Sequence, residues 1–115
     1  MWATGYIAKL AAGVTVEFRP RGNSMIPLVN SGDLVVVEPF VLGTELAVGD
    51  IVLCKVKGKQ YLHKVLSKNR LQDVMTVSGL CKVWSYQIGN NRGHINGWVS
   101  SSSVYGRLVE NKRNG

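Results

Sequence analysis

Chemistry has few places to reside in this chain. It holds only two histidines, His63 and His94, so a search for a nucleophile with a positioned base narrows quickly. The strongest nucleophile is Ser24, in the segment Gly22-Asn23-Ser24-Met25-Ile26-Pro27. A serine hydroxyl is inert at neutral pH unless a base takes its proton, and acyl transfer also needs backbone donors aimed at the developing oxyanion. Gly22 lets the backbone approach a substrate closely and Pro27 stiffens the exit, a setting that would expose Ser24 with its own N–H free to donate. The same local context also describes an ordinary turn serine. His63 lies in Tyr61-Leu62-His63-Lys64-Val65, where strand alternation turns either His63 or Lys64 inward, never both. A neutral imidazole with a pKa of about 6.5 accepts a proton at pH 7 unaided, whereas a lysine must first be desolvated. Read alone, His63 is more often a half-buried strand histidine bonded to a backbone carbonyl.

Other candidates are weaker. Cys54 and Cys81 fall in apolar strand patterns, where thiols are buried and inert; they are too far apart for a CxxC motif and too few for a disulfide framework. His94, between Gly93 and Ile95, reads as a surface loop residue. Two histidines without a carboxylate at metal-ligand spacing argue against zinc, and neither metal nor cofactor is expected. The net charge of +7 draws the protein toward anions without specifying one. Lys55, Lys57 and Lys59 would put three ammonium groups on one strand face, a phosphate track with little aromatic interleaving, so nucleic acid is not the favoured partner.

The elements that must position Ser24 and His63 are short. With 115 residues and 45% apolar side chains, the chain is bounded to one domain. Its many glycines and few charges point to an all-β fold. Apolar runs stay far below the roughly 18 residues of a membrane span. Lys9 and the missing basic n-region argue against a secretory signal, which places the protein in a cytoplasm. The pattern predicts a short helix over 5–12, with Thr4 as cap and Gly13 as stop. Strands follow over 14–18, 34–38 and 50–56, and a hairpin turn at Lys57-Gly58-Lys59 leads into 60–66. Segments 74–77 and 82–88 read as a further strand pair, 89–97 as a loop and 98–109 as a last strand bent at Gly106. The organisation is thus an N-terminal helical segment (1–13), a β domain (14–109) and a frayed tail (110–115).

Gly22-x-Ser24-Met25-x-Pro27, Gly32-Asp33-Leu34-Val35-Val36-Val37, Val48-Gly49-Asp50-Ile51-Val52 and Tyr61-Leu62-His63-Lys64-Val65, closed by Gly89-Asn90-Asn91 through Trp98-Val99 and Tyr105-Gly106-Arg107, resemble in order and spacing the motif series of the superfamily joining LexA-like autopeptidases to type I signal peptidases. The resemblance implies a coiled β-sheet or partly open barrel. It maps Ser24 onto the nucleophile and His63 onto the base, similar to the Ser-His dyads of archaeal and endoplasmic-reticulum signal peptidases. It leaves Lys64 as the following basic residue turned away from Ser24, and Met25 and Pro27 as substrate-side residues of the turn. It also exposes a departure: the family's terminal block carries aspartates, whereas this chain has Asn90 in the GDN position and Asn96 near the second. Either asparagine could orient the imidazole, without the charge stabilisation a carboxylate provides. Asp33 and Asp50 read as turn anchors rather than as a third member.

These features imply a serine endopeptidase cutting a protein partner in trans. The Ala12-Gly13 bond is a poor site for self-cleavage, only a dozen residues before Ser24. Too little chain precedes Ser24 for a helix-turn-helix domain, and no membrane anchor or membrane partner is expected. The compact form suits a phage or mobile element, acting in a host cytoplasm. The alternative is a weakened module of the same fold that binds a peptide by strand addition, or nucleic acid, without cleavage.

Overall fold

Short β-branched runs broken by glycine turns fold here into one antiparallel sheet, and the computed structural model describes residues 1–71 and 73–112. A single helix, α1 (Thr4–Ala11), is followed by β1 (Val16–Phe18), β2 (Leu34–Pro39), β3 (Ile51–Val56), β4 (Lys59–Arg70), β5 (Val74–Thr76), β6 (Gly79–Cys81), β7 (Trp84–Gly89), β8 (Ile95–Ser100) and β9 (Val104–Lys112). Seven strands form the main sheet in the order β1-β2-β9-β3-β4-β7-β8, while β5 and β6 form a separate hairpin. The sheet is not closed: β1 and β8 remain edges, so the mainly β, single-domain fold expected from the sequence takes its open form.

The sheet coils so that its central strand is covered on both faces. In β3, Ile51 through Cys54 are all buried, which explains why this strand reads as a continuous apolar run rather than an alternation. Ile51 and Leu53 join a core with Leu10 of α1, Val16, Phe18, Met25, Val29, Val35, Val37 and Leu62. Val52, Cys54 and Val56 point the other way, into a second core with Leu46, Val65, Tyr86, Ile88, Val99 and Val104. Tyr86 is fully buried, and its hydroxyl accepts a hydrogen bond from Leu46 N–H at 2.9 Å, which satisfies the one polar atom of a large core side chain. Asp33 and Asp50 do anchor turns: Asp33 Oδ2 accepts from Asn30 N–H at 2.8 Å and Asp50 Oδ2 from Ala47 N–H at 2.9 Å.

Several local expectations are corrected by long-range pairing. The first strand starts only at Val16. Val74–Thr76 pairs with Gly79–Cys81, not with the segment that follows. β7 instead lies between β4 and β8, and this pairing draws β4 out to Arg70. The expected loop over 89–97 shrinks because Ile95–Gly97 belongs to β8. The single last strand is two, β8 and β9, broken by a 3₁₀ turn at Ser101–Ser103. Glu110–Lys112, expected to fray, extends β9 against Leu34–Val36 of β2; positions 113–115 lie outside the described residues. Thr4 does not cap α1. Its Oγ1 accepts a hydrogen bond from Gln60 Nε2 at 3.0 Å, tying the helix start to β4. Lys55, Lys57 and Lys59 share no strand face, since Lys55 of β3 pairs with Gln60, Lys59 of β4 pairs with Val56 and so faces the other way, and Lys57 sits in the turn between them at φ 51°. Cys54 is buried, and burial pushes its thiol up to about 12, whereas Cys81 is only partly buried.

Candidate functional site

Ser24 rides on the long connection between β1 and β2, and that connection is fastened at several points. Gly22 enters it at φ 110°, backbone that side-chain-bearing residues rarely adopt. Ile26 N–H reaches Asn23 C=O at 3.4 Å and Val29 N–H reaches Met25 C=O at 2.9 Å, which winds residues 23–29 into successive turns. Met25 and Val29, each 4% exposed, anchor those turns in the first core. Met25 is therefore buried beside the serine, while Pro27, which follows a cis peptide bond, is exposed. Ser24 itself is half-buried, and neither its N–H nor that of Met25 donates a hydrogen bond among the described residues.

His63 comes from the middle of β4, opposite Val52 of β3. Its ring lies 4.9 Å from that of Tyr61, two residues earlier on the same face. The fold brings Ser24 Oγ to 3.1 Å from His63 Nε2, across 39 residues of sequence. On the ring's other side, Asn96 Oδ1 of β8 lies 2.6 Å from Nδ1. A carbonyl oxygen can only accept, so Nδ1 carries the hydrogen and Nε2 presents its lone pair to the serine hydroxyl. That is the tautomer a general base requires. Burial holds the His63 pKa below its ordinary value; the Asn96 hydrogen bond opposes the shift and nearby His94 adds to it.

The other asparagine goes elsewhere. Asn90 does not reach His63; its Oδ1 accepts from Arg92 and His94 N–H at 2.8 and 3.0 Å and closes the β7–β8 turn. Gly89, just before it, has no room for a side chain, since a Cβ there would meet Leu66 Cδ1 at 2.4 Å and His94 C=O at 2.5 Å. Between them the two residues deliver Asn91, for which the sequence alone suggests no task. Asn91 N–H donates to Ser24 C=O at 2.9 Å and its Nδ2 to Ile26 C=O at 2.9 Å, while its Oδ1 accepts from Lys64 Nζ at 2.7 Å. Lys64 is thus turned to the serine loop's clasp rather than to the serine hydroxyl. Only the position of Asn91 beside Asn90 could have drawn attention to it.

Because His63 binds a proton less readily folded than unfolded, the native state carries fewer protons once pH falls below the unfolded imidazole value of about 6.5. Stability is therefore expected to hold above that value, to fall as pH drops toward the lowered native pKa, and to level off beneath it. Thermal unfolding between pH 7.5 and 5 should show a shallower loss in His63→Gln than in the parent; equal slopes would contradict the buried neutral imidazole.

Among the described residues, no group of three or more His, Cys, Asp or Glu side chains is placed to hold a metal ion, and no helix is long and apolar enough to cross a membrane. No curated protein and no solved structure matches the chain. A family model does: Peptidase S24-like matches residues 9–77, a stretch that includes Ser24, His63 and Lys64 and ends before the asparagines of β7–β8. That stretch is more than half of the sequence, and with its serine-bearing turn and the strand of His63 this chain belongs to the S24-like peptidase family.

Proposed function

We propose that the protein is a serine endopeptidase in which Ser24 is the nucleophile and His63 the general base, acting in trans on a protein partner. The observation that carries this reading is the continuous chain Ser24 Oγ, His63 Nε2, His63 Nδ1, Asn96 Oδ1 at 3.1 and 2.6 Å, within the reach proton transfer needs. As Oγ attacks the peptide carbonyl carbon, its proton passes to Nε2. The resulting oxyanion is met by backbone donors, with the uncommitted N–H of Ser24 as the first candidate. The imidazolium then gives the proton to the leaving amine, the C–N bond breaks, and an acyl-serine remains. Water, deprotonated by the same nitrogen, hydrolyses that ester and restores the hydroxyl. The unpaired thiols Cys54 and Cys81 fit a reducing compartment such as a cytoplasm.

One observation favours a second reading. Asn96 supplies orientation but no negative charge to the imidazolium, and this fits a weakened module that binds peptide, or nucleic acid, without cutting. A fluorophosphonate probe separates the two. Covalent labelling of Ser24, absent in Ser24→Ala, together with new termini in a peptide mixture, is expected for the peptidase. Unlabelled protein that leaves every peptide intact would support the module.

A further inference from the structure

Beside the dyad lies a cleft of about 370 Å³, at the small end of ligand-pocket sizes and ample for one large side chain. Ser24 and His63 stand at its wall. Its apolar surface comes from Phe18, Met25 and Leu62 of the sheet and serine loop, from Trp2 just before α1 and from Tyr6 within it. The aromatic rings are arranged rather than scattered. Tyr6 stacks on Phe18 at 4.4 Å between centroids, and Trp2 lies 5.7 Å from Phe18. Trp2 is held there by its Nε1–H, which donates to Gln60 C=O at 3.2 Å, while Ala3 N–H donates to Gln60 Oε1 at 2.7 Å. Even so, 49% of Trp2 stays exposed, leaving a fixed aromatic surface for an incoming group.

The charge around this cleft has one sign. Arg19 and Arg21 line it and no Asp or Glu does. Arg19 is set in place by its Nη1–H donating to Gly32 C=O at 2.7 Å. Neither guanidinium has a carboxylate partner among the described residues, so both keep their capacity for charge-assisted bonds to an oxyanion. An aromatic slot with Trp2 fixed by a hydrogen bond, edged by two arginines that have no carboxylate partner among the described residues, is matched by a peptide that pairs an apolar side chain with an acidic one.

We propose that this cleft is a specificity pocket for a large apolar or aromatic residue near the scissile bond, followed or preceded by an acidic residue that meets Arg19 and Arg21. The proposal deepens the peptidase reading and rests on it for turnover, but not for binding. The test uses two sets of measurements on the full chain. Peptides pairing Phe, Leu or Ala with a neighbouring Glu or Lys are assayed for cleavage by the parent protein. Their fluorescently labelled forms are assayed for binding to Ser24→Ala by anisotropy. Phe or Leu is expected to exceed Ala, and Glu to exceed Lys, each by about tenfold or more. Arg21→Glu should reverse the Glu-over-Lys preference, and Trp2→Ala should shrink the Phe-over-Ala preference; both residues are exposed, and unfolding curves verify that the variants fold. Selective binding without cleavage would sustain the pocket and overturn the peptidase. Cleavage indifferent to these residues, or favouring Ala, would sustain the peptidase and overturn the pocket. Neither binding nor cleavage would overturn both.

Discussion

Ser24→Ala and His63→Ala should each reduce peptide cleavage by on the order of 10³-fold or more, while Lys64→Ala should cost only about tenfold. The difference follows from what each side chain touches. In the proposed mechanism Oγ forms the bond to carbon and Nε2 holds the transferred proton, so losing either removes the acyl-transfer route itself. Among the described residues the Lys64 ammonium bonds to Asn91 Oδ1, and Asn91 still grips the serine loop through two bonds to Ser24 and Ile26 carbonyls when the ammonium is gone. In the proposed mechanism Lys64 is therefore a positioning residue. Steady-state kinetics on a cleaved peptide would check the ranking, and the double variant Ser24→Ala/His63→Ala should be scarcely worse than either single change, because the two act as one unit. Activity lost in Lys64→Ala and retained in His63→Ala would refute the assignment of the base.

The second large effect is a gain. Asn96→Asp should raise kcat by roughly 10- to 100-fold, reversing the direction of the loss seen when a triad carboxylate is replaced by its amide. Two physical causes act together. A carboxylate 2.6 Å from Nδ1 stabilises the imidazolium that forms during attack, which an amide carbonyl does only through its dipole. A carboxylate also accepts at both oxygens, whereas Asn96 Nδ2 makes no hydrogen bond among the described residues that would stop the amide from turning and presenting a donor to Nδ1. The pH profile gives the second readout. With Asn96, burial keeps the His63 pKa low, so the acid limb of kcat/KM lies below the ordinary imidazole range. With an aspartate in its place, the opposite charge favours the protonated ring and the limb should move up. A profile unmoved by Asn96→Asp would mean that His63 is not the titrating base.

How much of this is open to reading from residues in order differs from element to element. Ser24 stands out because turn chemistry is local: a glycine before it and a proline after it oppose regular structure whatever the rest of the chain does. His63 stands out because strand alternation assigns neighbouring residues to opposite faces within a few positions. The missing carboxylate is visible for the same reason, as the plain identity of positions 90 and 96. Choosing between those two asparagines is another matter. It depends on how far the turn after β7 carries the chain before β8 begins, and the register there slips between Ile88 and Gly89.

The remaining misreadings share that cause. Residues 74–77 and 82–88 look like a pair because they are sequence neighbours, yet β7 is claimed by β4, whose Lys64–Arg70 stretch offers a longer ladder. The role of Asn91 is written in its neighbours across space, Ser24, Ile26 and Lys64, none within 25 residues of it. The aromatic cleft needs α1 laid across the end of the sheet, and nothing in the helix's own periodicity says which strand it will cover. By itself, then, the sequence settled the chemical repertoire: a serine in a turn, a histidine on a strand, no carboxylate at the end of the relay. Only the tertiary structure decided which atoms meet, because strand register and helix docking are set by burial of two cores from distant segments, a sum over many weak contacts that no local window contains.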